Sequence, residues 1–156
     1  MSGLTVVNFE GTGELTLGTN LFYMCEDLTS VTFREGTKNI PEYTFAYDAN
    51  LTTVVIPTTV TNDSNNGVRA IASRAFQNCT ALTTVTFTKG GTLPLSFESG
   101  AFWGCTALTE LNLPKRASSF NGNYDVFEFG EAGNVLQSTL ANRVFCENPY
   151  RAGQDV

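Results

Sequence analysis

The chain has 156 residues with a hydrophobic content of 42% and a charged content of 15%, which suits one folded domain or one contiguous array and excludes disorder. Its net charge of −6 speaks against a nucleic-acid or anionic-membrane surface, since both need clustered Lys and Arg. Histidine is absent, which removes the commonest general base, the usual zinc ligand and the switch that titrates near neutrality.

In chain order, Leu4, Val7 and Phe9 open the sequence as the back half of a pattern whose front half is missing. That predicts a piece of a longer protein. It also takes weight off the lack of a signal peptide in MSGLTVVNF. No apolar run approaches the ~18 residues of a membrane span. Glu10–Glu14 (EGTGE) reads as a turn-rich linker. The first full unit runs from about Leu15 to Phe33: Phe22, Cys25 and Leu28 step by three, then Val31 and Phe33 alternate. A step of three suits a turn of helix or 3₁₀ structure with one apolar face, and alternation suits a short strand.

The same frame returns at Phe45, Asp48, Leu51, Val54 and Ile56, with Asp48 in the Cys slot. It returns again at Phe76, Cys79, Leu82, Val85 and Phe87, and at Phe102, Cys105, Leu108, Leu111 and Leu113. Five residues before each Phe stands another apolar side chain: Leu17, Ile40, Ile71 and Phe97. Between strand and next arm the spacing varies, and residues 58–67 form a small, polar insertion expected to bulge outward as a loop. On that reading Thr61–Gly67 is dispensable to the fold. Lys89–Pro94 is a shorter insertion. After Pro114 the frame fades, although Tyr124, Phe129, Ala132, Val135, Ser138 and Leu140 keep its offsets. The expected organisation is a repeat array over 1–114 and a degenerate terminal repeat with C-terminal cap over 115–156.

Four copies of one pattern mean a repeat protein. Neither an arm nor a five-residue strand can bury its apolar face alone. Stacked copies can, with each Phe over the next and the strands paired in parallel at about 4.8 Å. The predicted fold class is therefore a repeat solenoid of short parallel strands joined by short helical, 3₁₀ or irregular arms.

Residues 4–114 resemble the BspA-like leucine-rich repeat family, whose units read approximately Ile-x-x-x-Ala-Phe-x-x-Cys-x-x-Leu-x-x-Val-x-Ile-Pro. Ile71 to Phe87 matches nearly slot for slot, and the Pro after the strand stands at Pro57 and Pro114. The resemblance implies a leucine-rich-repeat arc with its strands on the concave side and its arms on the convex side. It also implies a secreted or cell-surface bacterial protein that adheres to extracellular or host proteins. Asp48 in the Cys slot and the 58–67 insertion depart from the family pattern.

The cysteines Cys25, Cys79, Cys105 and Cys146 lack the close spacing of a metal site. Cys79 and Cys105 fall in equivalent slots of adjacent repeats, within disulfide reach, but the better reading is small buried hydrophobes in reduced form. Strand positions between core residues face the other way. They place Val6, Asn8, Glu10, Ser30, Thr32, Arg34, Thr53, Val55, Thr84, Thr86, Thr88, Glu110 and Asn112 together on the concave sheet. β-Propensity alone accounts for many of these threonines. A shallow, weakly charged, hydroxyl-rich platform for a protein, or for a glycan, is the functional account. No catalytic residue, metal site or cofactor is expected. The sequence leaves two readings: a protein-binding or adhesion module, and a spacer that projects other domains without a ligand of its own. Oligomeric state has no signal in the sequence.

Overall fold

The computed structural model describes residues 3–63, 65, 70–98, 100–108, 111–114, 117–119 and 144–146. Four short strands form one parallel sheet in sequence order: β1 (Val6–Asn8), β2 (Ser30–Thr32), β3 (Thr53–Ile56) and β4 (Thr84–Phe87). The register follows the repeat frame. Val7 pairs with Val31, Val31 with Val54, Val54 with Val85, and Ile56 with Phe87. Val31, Val54, Ile56, Val85 and Phe87 are buried, while Thr32, Thr53, Val55, Thr84 and Thr86 are exposed. The period-two pattern is thus realised residue by residue. A second line of parallel bridges, Ile40 to Ile71 to Phe97, joins the apolar residues that precede each repeat Phe.

Between these lines lies the core. Phe22, Phe45, Phe76 and Phe102 stack in one column, with successive ring centroids 5.3, 5.2 and 5.4 Å apart and planes within 17° of parallel. Leu28, Leu51, Leu82 and Leu108 form a second buried column. At the start of the chain Leu4, Val7 and Phe9 pack partly buried against this core.

The arms are chains of turns, and no helix occurs among the described residues. The residues two before and two after each repeat Phe have positive φ: Asn20 and Met24, Tyr43 and Tyr47, Arg74 and Asn78, Gly100 and Gly104. All but Asn20 are the third residue of a turn closed by an i to i+3 bond, as in Cys25 N–H to Phe22 O at 3.0 Å. Left-handed residues at these intervals forbid a continuous right-handed helix. Alternate amides instead reach the next repeat: Phe22 N–H to Thr44 O, Phe45 N–H to Ala75 O and Phe76 N–H to Ala101 O, each at 2.8 Å. Most of the arm amides are therefore spent within turns and between repeats.

One expectation needs correction. The insertion does not simply bulge from residue 58 onward. Val60 is fully buried, and the Thr61 and Asn62 amides bond Lys38 O and Pro94 O. The Asn62 Oδ1 accepts from the Ala70 amide at 2.9 Å and the Ser96 hydroxyl at 2.7 Å. A polar side chain here does a job the template cannot show: it links two neighbouring turns whose donors are buried.

Towards the C-terminus, β5 (Leu95–Ser96) pairs in parallel with β7 (Ala117–Ser119), and β6 (Leu111–Leu113) with β8 (Val144–Cys146). Leu111 stands opposite Val144, six residues beyond the Ser138 that the frame through Phe129 would bring there. Tyr124, Phe129, Ala132, Val135, Ser138 and Leu140 lie outside the described residues.

Candidate binding surfaces

The register assembles most of the sequence-predicted platform. Val6, Ser30, Thr53 and Thr84 form one row across the concave sheet, and Asn8, Thr32, Val55 and Thr86 form the next. Glu10 is exposed beyond the end of β1, and Thr88 follows β4 with its amide bonded to Ile56 O. Arg34 is not presented to the sheet. Its Nη1 donates to Gly13 O at 2.5 Å and to Glu35 O at 3.2 Å, so it braces turns. Asn112 lies within β6, while Glu110 lies outside the described residues.

Some threonines have a structural task that strand propensity does not describe. Just before the strands, the Thr29 hydroxyl donates to Thr5 O at 2.9 Å and the Thr52 hydroxyl to Thr29 O at 3.1 Å. The Thr83 hydroxyl continues the line to Thr52 O at 3.2 Å. This ladder caps carbonyls at the sheet margin.

The three thiols in the repeat slots offer no chemistry to a ligand. Cys25, Cys79 and Cys105 are unpaired and buried, so the adjacent slots of Cys79 and Cys105 do not form a bridge. Each of the latter two points its Sγ at the Phe carbonyl of the preceding repeat, Cys79 to Phe45 O and Cys105 to Phe76 O, both at 3.0 Å. Burial pushes the Cys79 thiol well up, which keeps it protonated and inert.

Asp48 occupies the same slot with a carboxyl. It is fully buried; Oδ1 accepts the Cys25 amide at 2.8 Å and Oδ2 has no partner. Burial pushes its pKa up from 3.8 to about 8, against the smaller opposing pull of the Cys25 amide. At neutral pH the side chain is therefore a neutral acid, the form closest to a thiol in its hydrogen-bonding capacity. It is enclosed, so it cannot serve as a surface acid or base. Among the described residues no three His, Cys, Asp or Glu side chains gather as metal ligands.

Two depressions among the described residues bear on binding. One, of about 540 Å³, is bordered by Gly13, Glu14, Arg34, Glu35 and Lys38. Its charged groups already have partners: Lys38 pairs with Glu14 at 2.8 Å, Glu35 accepts from Thr58, and Arg34 donates to main-chain carbonyls. The other, of about 780 Å³, lies on the arms and is lined by Asn20, Tyr23, Tyr43, Tyr47, Arg74 and Gln77. Tyr23 meets Tyr43 and Tyr47 edge-on at 6.5 and 5.7 Å between centroids. The Arg74 guanidinium sits 6.0 Å from the ring centres of both Tyr43 and Trp103. Sequence reasoning missed this cluster. The available signal was a shared template offset: Tyr43 and Arg74 stand two before a repeat Phe, Tyr23, Gln77 and Trp103 one after it.

The sequence model for the BspA-type leucine-rich repeat region matches residues 2–65 and 62–131, in six copies. Among solved structures, the chain is similar to a leucine-rich repeat protein from Bacteroides ovatus, with 18% identity and a TM-score of 0.50. That likeness covers 75% of this chain and 33% of the other, so the chain spans about a third of that protein's length, and it speaks for the fold alone. No curated protein matches the sequence. With the family pattern spread over most of its length and the parallel stacked repeats beneath it, the chain belongs to the BspA-type leucine-rich repeat family.

Proposed function

We propose that the chain is a non-enzymatic protein-binding module of a cell-surface or secreted bacterial protein, acting in adhesion to an extracellular or host protein through its concave strand face. The observation that carries this reading is the pair of rows, Val6–Ser30–Thr53–Thr84 and Asn8–Thr32–Val55–Thr86, which four strands hold in fixed register. Equivalent positions from successive repeats give a ligand contacts that add along the array. Val55 is 41% exposed among hydroxyls, and the central rows carry no charge. Recognition there rests on shape and hydroxyl contacts, and affinity should change little with salt.

The test replaces Thr32, Thr84 and Thr86 by Glu, which leaves the core untouched. Immobilised extracellular-matrix proteins should lose binding to the folded triple variant. Undiminished binding would move the site off the concave face. A parent chain that binds none of them would favour the spacer reading, which the scarcity of aromatic anchors on these rows also supports.

A further inference from the structure

We infer that the arm-face cluster around Tyr23, Tyr43, Tyr47, Arg74 and Gln77 is a second binding site, independent of the concave sheet, for a saccharide that carries a carboxylate. Three lines lead there.

The first is what the backbone tolerates in order to display these side chains. Tyr43, Tyr47 and Arg74 have φ of 54°, 67° and 53°. At the matching offsets the other repeats use Asn20, Met24, Asn78, Gly100 and Gly104, and all of these except Met24 are residue types that suit the left-handed region. A bulky ring is the worse choice for folding at such a position. Tyr47 is also 39% exposed, so core packing does not require it. Met24 shows that one such residue can stand alone, but Tyr43, Tyr47 and Arg74 carry this local cost together and line the same depression, which points to side chains kept for their surface.

The second is charge. Among the described residues, Arg74 is the one charged side chain lining the depression, on a chain of net charge −6. Its guanidinium forms no ion pair among the described residues; its Nη1 reaches only the Tyr43 hydroxyl, at 3.4 Å. The Tyr43 and Trp103 rings lie beside the group, each with its centre 6.0 Å from the guanidinium carbon. With one long hydrogen bond and no ion pair among the described residues, the guanidinium has N–H donors to spare for a planar anion such as a carboxylate.

The third is the kind of hydrogen bonding on offer. Most of the arm amides are spent on turns and on neighbouring repeats, for example Tyr43 to Ser73 O and Tyr47 to Gln77 O. Among the described residues, the arm amides left without a bond, such as those of Leu21 and Arg74, are isolated and do not make the continuous edge that an added peptide strand needs. What lines the depression are phenol hydroxyls and the amides of Asn20 and Gln77, each both donor and acceptor. Sugar hydroxyls have the same dual character, and aromatic faces receive the apolar side of a sugar ring.

Trp103, the single tryptophan of the chain, reports on the site through Arg74. The full chain is titrated with glucuronic acid, N-acetylneuraminic acid and a hyaluronan tetrasaccharide, against glucose and an Asp/Glu-rich decapeptide. Trp103 fluorescence and ligand-observed NMR are read together. At least one acidic saccharide should saturate, binding about tenfold or more tighter than glucose. Arg74→Gln should erase that preference. Tyr43→Asn and Tyr47→Asn install residues that other repeats already use at the same offsets, so melting should stay within about 3 °C while binding is lost. The concave triple-Glu variant should bind the saccharide as the parent does, which separates this site from the proposed adhesive face. Equal binding of glucose and its acid, unchanged binding by the folded Tyr variants, saturation by the peptide alone, or no saturation by any probe would each overturn the inference.

Discussion

Replacing Asp48 by Asn should convert a protein whose stability falls steeply with pH into one whose stability does not. The Asp48 carboxyl has its pKa raised by burial from 3.8 to about 8. Between those values the unfolded chain has lost the proton and the folded chain keeps it, so folding takes one up. Stability is then greatest below pH ~4, declines as pH rises, and levels off only above the folded value near 8. The slope is about 1.4 kcal/mol per pH unit. At pH 7, roughly three units above the unfolded value, the penalty is about 4 kcal/mol, a large share of the ~5–15 kcal/mol of a typical domain. An Asn keeps an acceptor for the Cys25 amide and carries no ionisable proton. A Cys restores the residue that the first, third and fourth repeats use. Urea denaturation midpoints for the parent, Asp48→Asn and Asp48→Cys at pH 4.5, 6 and 7.5 provide the measurement. Other carboxylates are common to all three proteins and cancel in the difference. The stability gap between variant and parent should widen by about 4 kcal/mol from pH 4.5 to 7.5. Parallel pH curves would show that Asp48 ionises freely in the fold and would refute the reasoning.

The remaining predictions concern stability at fixed pH. Phe76 is fully buried between Phe45 and Phe102, so Phe76→Ala should cost about 3–5 kcal/mol, whereas exposed Thr86→Ala should stay within about 1 kcal/mol; denaturant midpoints of the pair will tell. Met24 is exposed with φ of 58°, and Gly104 stands at the same offset in the fourth repeat, so Met24→Gly should stabilise by roughly 0.5–1 kcal/mol on thermal unfolding. Asn62→Ala strands the Ala70 amide and the buried Ser96 hydroxyl and should cost about 1–3 kcal/mol; no change in melting temperature would return the whole 61–67 segment to the status of a dispensable loop.

By itself the sequence determined which side chains face inward. Phe22, Phe45, Phe76 and Phe102, the Leu column and the strand valines all carry a period that exists only if one face of each repeat is buried, so their burial and the parallel stacking could be read directly. The concave rows follow from the same alternation. What the arms do could not be read that way. A step of three is common to a helix and to linked turns, and the choice was made by left-handed residues such as Met24 and Tyr47, whose types give no warning. Only the tertiary structure decided the state of Asp48, because its proton affinity depends on how completely neighbouring repeats exclude water from its slot. It likewise decided that Val60 and Asn62 belong to the solenoid, and that Tyr23, Tyr43 and Arg74 meet although each belongs to a different repeat. Repeat spacings of 23, 31 and 26 residues are absorbed by stacking, which brings matching offsets side by side whatever the length between them. A periodic pattern records the face each side chain takes; which exposed side chains touch, and at what energetic cost, is set by contacts between repeats that are distant along the chain.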